Sequence, residues 1–198
     1  MNNYHPVKYA PSRITSNYLP FKELKAVFPE VDYRIKDESS CGFDHITSIP
    51  ARMLNTKTPA QHLLNKLYDD KLRKIFPESI KKTFEITGRI VLKCFEASMH
   101  KDQSWGRSLF LSVVMKAAPK GHYLFVLPPN INEKEDVKAT RLSLRAGDVF
   151  VLDPLSIHSV HSTSQKKCEL ILLQYELEFK TRQAAVEAMS RCKYLYTE

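Results

Sequence analysis

The chain has 198 residues, 43% of them apolar, and a formal net charge of +8 from 30 basic and 22 acidic side chains. That length and apolar share suit one domain with a full hydrophobic core, with no internal repeat or low-complexity tract. Cys41, Cys94, Cys168 and Cys192 are widely spaced and form no CxxC pair, which argues against a zinc ribbon or a thioredoxin-like site and for reduced thiols.

The first twenty residues lack the apolar core of a signal peptide, and no later stretch has the apolar length of a membrane-spanning helix, so a cytoplasmic protein without membrane contact is expected. The positive charge attracts polyanions and makes nucleic acid a possible partner. The lysines are spread along the chain rather than gathered in one block, which equally fits a solvated surface.

In chain order, Pro6, Pro11, Pro20, Pro29 and Pro50 punctuate the first 58 residues, so that part is expected to be irregular and partly helical. Thr58-Pro59-Ala60-Gln61 is a capping-box pattern with proline at the first helical position. Leu63, Leu64, Leu67, Tyr68, Leu72, Ile75 and Phe76 follow at helical spacing, so a helix is predicted over 59–76. A short helix is expected after Pro77, through residue 84.

From there β-branched and aromatic runs alternate with turn residues, and strands are predicted over 86–98, 108–116, 122–127, 139–144, 148–152, 157–162 and 168–179. Seven short strands without helix-length insertions favour a barrel or sandwich over a parallel sheet. Residues 181–196 put Ala185, Ala188, Met189 and Cys192 on one stripe of a closing helix.

Chemistry is concentrated at two places. His100 and Asp102 stand two apart, so on a continuing strand both side chains would leave the same face. A metal held by two histidines and one carboxylate needs a second histidine. His158 is the candidate: Leu144-Arg145-Ala146-Gly147-Asp148 reads as a turn, Val149 to Leu152 as a buried strand, and Asp153-Pro154-Leu155-Ser156 as a second turn leading to it. His161 is the rival, and strand alternation turns it to the opposite face from His158.

In these segments the sequence resembles the 2-oxoglutarate/iron oxygenases, which carry an HxD motif after an early strand and a second histidine late in a double-stranded β-helix. The matching residues are His100-Lys101-Asp102 and Gly147 through Val160, and the resemblance covers about residues 86–179. It implies a double-stranded β-helix barrel over 86–179, and the residue patterns on either side add an irregular and helical wrapping segment over 1–85 and a C-terminal helix over 180–198, an expected α+β fold in one domain. It further implies Fe(II) held by His100, Asp102 and His158, and 2-oxoglutarate as cosubstrate. The family places a basic residue about ten positions after the late histidine, for the far carboxylate of 2-oxoglutarate; Lys167 stands there, in Lys167-Cys168-Glu169 where many members have arginine with a hydroxyl residue two positions on.

Arg107 and Lys116 are alternative carboxylate anchors, Tyr123 and Tyr175 are candidate hydroxyl donors, and Trp105 is expected to pack at the pocket or its rim. His5, His45, His62 and His122 lack a partner pattern. Two other readings stay open: a cupin-like barrel binding another metal or a small ligand, and a basic interaction protein for nucleic acid or an acidic protein.

Overall fold

The structure is a computed structural model, and it describes residues 4–9, 66, 68–118, 121–127, 139–163 and 170–193. Two antiparallel sheets form its body. The five-stranded sheet runs β1 (Val7–Tyr9), β7 (Val149–Leu152), β4 (Ser108–Lys116), β9 (Leu170–Phe179) and β2 (Phe84–Cys94). The four-stranded sheet runs β3 (Ala97–His100), β8 (His158–Ser162), β5 (His122–Val126) and β6 (Thr140–Leu144). From β2 onward successive strands cross between the sheets, apart from the β5–β6 hairpin, and this makes the barrel a jelly roll, the double-stranded β-helix.

Helical structure lies outside the barrel strands. A π-turn over Tyr68–Leu72 and a 3-10 turn over Arg73–Ile75 occupy the end of the helix expected over 59–76; residues 59–65 and 67 lie outside the described residues. Pro77 disfavours helical geometry at Phe76, which is extended at φ −101° and ψ 143°. The next helix, α1 (Glu78–Lys81), stops short of the expected residue 84, because Thr83 bonds back to the Ile80 carbonyl and β2 begins at Phe84. The closing helix α2 (Arg182–Arg191) is capped by Thr181, whose hydroxyl accepts from the Ala184 N–H at 3.2 Å.

Two strand expectations are corrected. The run expected over 86–98 is two strands in different sheets, β2 and β3, joined at Phe95 and Glu96; continuous hydrophobicity conceals the crossing because both strands bury side chains. Val7–Tyr9, read from sequence within an irregular segment, instead extends the larger sheet by pairing with β7.

The larger sheet separates two apolar layers. On its outer face Leu109, Leu111, Leu173, Tyr175 and Leu177 pack with Tyr68, Leu72, Ile75, Phe76 and the α2 residues Ala185, Ala188 and Met189. On its inner face Phe110, Phe150, Leu152, Leu170 and Leu172 meet Leu124, Val126, Leu142, Leu144 and Val160 from the smaller sheet. Each fully buried aliphatic or aromatic side chain contributes about 1.5–3 kcal/mol, so these layers, rather than the short helices, hold the barrel together.

Candidate functional site

The last residue of β3, His100, lies directly opposite the first residue of β8, His158. Their rings approach to 4.2 Å between centroids. Each Nδ1 lies beside a backbone carbonyl two residues earlier: His100 to Ser98 at 2.6 Å, and His158 to Ser156 at 2.9 Å. A carbonyl only accepts, so Nδ1 carries the proton in both rings and the lone pair of each ring lies on Nε2.

Asp102 meets both Nε2 atoms, at 3.8 Å from His100 and 3.5 Å from His158. Strand alternation is not what brings it there. The strand ends at His100, and Asp102, at φ −92° and ψ 74°, opens a 3-10 turn over Gln103–Trp105. Its backbone N–H instead donates to the Pro154 carbonyl at 2.9 Å, tying it to the turn that delivers His158.

That turn is braced by Asp153, which is fully buried. Its carboxylate accepts from the Leu155 N–H at 3.1 Å, from Arg182 of α2 at 2.8 Å, and from the Tyr4 hydroxyl. Burial, then the neighbouring Asp153 charge, pushes the Tyr4 hydroxyl far above the usual tyrosine range, so it stays a donor. Gly147, at φ 89°, permits the tighter turn before β7, where Asp148 accepts from the Arg145 N–H at 2.7 Å.

One donor atom from each of His100, Asp102 and His158 lies within 4.8 Å of the others, a spread one ion can bridge. His158 is buried, whereas His100 and Asp102 are partly open, so the group is reachable. Burial holds the His100 pKa below the ordinary histidine value, with the His158 charge acting the same way against the Ser98 carbonyl and Asp102. The ring therefore favours its neutral, ligating form. Two neutral imidazoles and a carboxylate suit a divalent first-row metal with positions left open, ferrous iron in particular.

The three side chains form one wall of a cavity of about 380 Å³ between the sheets. Leu92, Phe110, Leu124, Phe150 and Leu172 make it mainly apolar. Trp105 also lines it and packs edge-on against Phe110, with centroids 5.8 Å apart. Gln174 and Glu176 on β9 complete the polar lining, and neither is legible as a site residue by motif. Their signal is parity: they continue the inward-facing series Leu170, Leu172 with two polar side chains.

Other candidates fall elsewhere. Arg107 pairs with Glu178 at 2.7 Å near the surface, Tyr175 faces the outer apolar layer, and Tyr123 lies beneath Arg141 at 3.8 Å; none lines the cavity, nor does Lys116. His161 is exposed, 3.0 Å from the Ser159 hydroxyl. His122 is buried, its Nδ1 accepting from the Ala118 N–H. Lys167, His45 and His62 lie outside the described residues.

No protein-family model matches the sequence, and no curated protein matches it either. Solved structures do match. The chain is similar to the epimerase SnoN from nogalamycin biosynthesis, solved with Fe3+, alpha ketoglutarate and nogalamycin RO: TM-score 0.61 and 13% identity over 90% of this chain and 80% of that one. The fold is that of the 2-oxoglutarate/iron oxygenases. A 2OG-Fe(II) oxygenase family oxidoreductase from Burkholderia pseudomallei matches with TM-score 0.57 and 12% identity over 87% and 85%. HygX from Streptomyces hygroscopicus, solved with nickel and 2-oxoglutarate, matches with TM-score 0.51 and 10% identity over 80% and 78%. Among the described residues no helix is long and apolar enough to cross a membrane.

Proposed function

We propose that the chain is a non-haem iron oxygenase, with one Fe(II) held by His100, Asp102 and His158 and an organic substrate held in the adjoining cavity. The observation carrying this reading is the convergence of two Nε2 atoms, in rings each oriented by an Nδ1 hydrogen bond, on one carboxylate at the wall of a mainly apolar pocket. Bound there, iron supplies the oxygen-activating redox chemistry that side chains lack.

The chain's own contribution is orientation and exclusion. The Ser98 and Ser156 carbonyls set the two rings, and the Pro154 carbonyl sets the Asp102 backbone. The leucine and phenylalanine walls keep water from the reacting atoms. The reaction class assigned is hydroxylation or oxidative demethylation.

The co-reductant we assign is 2-oxoglutarate, supported by the cosubstrate named for two of the fold neighbours. Among the described residues the cavity lining offers its far carboxylate no lysine or arginine. The assignment therefore depends on Lys167. The test is aerobic incubation of iron-loaded protein with 2-oxoglutarate, following succinate. Wild type is expected to form succinate slowly without added substrate, and Lys167→Ala to lose that turnover while keeping its iron. Iron-loaded wild type that forms no succinate overturns the cosubstrate.

A further inference from the structure

The cavity contains a second polar feature that iron binding does not use. Glu176 projects inward from β9 opposite Gly88 of β2, at a register shift in that strand pair. A side chain at position 88 would collide with it: a Cβ there would lie 2.3 Å from Glu176 Oε2 and 2.6 Å from its Cδ. Glycine weakens a strand interior, and here its missing side chain is the space the carboxyl group occupies.

Trp105 lies beside Glu176 in the cavity lining and favours its charged form, against the rise that burial causes. Trp105 itself is fixed by the turn that begins at Asp102, its backbone N–H donating to the Asp102 carbonyl at 3.1 Å. One turn thus sets a candidate metal ligand and the partner of Glu176. Gln174 stands two residues along on the same face, held by the Ser112 hydroxyl at 3.2 Å.

Among the described residues no lysine or arginine pairs with Glu176 or lines the cavity. Burial raises the Glu176 pKa above the ordinary glutamate value, and the Glu178 charge adds to the rise. A carboxylate in apolar surroundings is costly alone and strongly favours a cation brought to it.

We propose that Glu176, seated over Gly88 and beside Trp105, is the recognition site for an amine: the cavity takes a small organic cation whose ammonium meets Glu176 and whose hydrocarbon or aromatic body fills the space walled by Leu92, Phe110, Phe150 and Leu172. This names a substrate class for the proposed oxygenase. It rests on that reading for the fate of the bound amine and not for its binding.

Trp105 is the sole tryptophan and lines the cavity, so its fluorescence reports occupancy. The experiment titrates the full chain at neutral pH with phenethylamine, phenethyl alcohol and hydrocinnamate, which share a body and differ in charge. The amine is expected to bind saturably and about tenfold or more tighter than the alcohol, and the acid weakest. Glu176→Gln is expected to bring amine and alcohol within about twofold, and Gly88→Ala, which displaces the carboxyl group without removing it, to narrow the gap part-way.

His100→Ala is expected to lose iron and keep the amine preference, which separates this proposal from the metal. Absence of saturable amine binding, an amine that binds no tighter than the alcohol, or a preference that survives Glu176→Gln overturns it.

Discussion

Alternate residues of β9 belong to different worlds. Ile171, Leu173, Tyr175 and Leu177 face the outer layer and are fully buried against the helices. Leu170 packs in the inner layer and Leu172, Gln174 and Glu176 line the cavity, so the series becomes polar toward the Trp105 side. A period of two thus lets one strand serve stability on one face and recognition on the other. The outer face is closely packed, whereas the inner face leaves a cavity and carries a carboxyl group with no cationic partner among the described residues.

Arg182→Ala should produce the largest effect on this arrangement, because the buried Asp153 joins α2, on the outer layer, to the turn that carries His158. Removing the guanidinium leaves a fully buried carboxylate without its cation and is expected to cost about 3–5 kcal/mol. Urea unfolding should show the lost stability, and iron affinity should fall with it.

Paired truncations compare the two faces directly. Leu173→Ala opens a void in the packed layer and is expected to cost about 2–5 kcal/mol, while Leu172→Ala enlarges space already present and should cost about half as much. Equal losses in denaturant titrations would mean that the inner face is as tightly packed as the outer.

The smallest effect tests the polar end of the inner face. Folding raises the Glu176 pKa above 4.5, so the unfolded chain ionises first and the penalty grows as pH rises from the unfolded pKa through the folded one. Glu176→Gln is therefore expected to raise Tm slightly near about pH 7 and to have no such effect below about pH 4. A stabilisation of the same size at both pH values would assign it to packing instead of charge.

Much of the barrel was readable because inward and outward residues alternate and turns are marked by Gly147, Pro154 and Asp153. Ser108–Lys116 follows the expected boundaries, the strands expected over 122–127, 139–144, 148–152 and 157–162 shift by one residue at one end, and the start expected at 168 lies outside the described residues; the exception is the run that crosses sheets at Phe95 and Glu96. The crossing was hidden because periodicity reports burial and not which sheet a strand joins. Val7–Tyr9 was hidden because three residues are too few to show a period, and its pairing partner lies more than a hundred residues away.

The grouping of His100, Asp102 and His158 was legible from order and spacing. The means by which Asp102 reaches the group was not, since it depends on the Pro154 carbonyl rather than on alternation. Glu176 escaped notice because a lone acidic residue in a strand carries no motif, and Gly88, its seat, lies on another strand.

The proposed oxygenase requires that His100, Asp102 and His158 hold one iron. The direct measurement is anaerobic titration with ferrous iron, read as metal retained per chain after desalting, in wild type, His158→Ala and Asp102→Ala, with circular dichroism confirming that all three are folded. The account predicts about one equivalent in wild type and little or none in either folded variant. Wild type that retains no iron, or folded variants that retain as much as wild type, would contradict it.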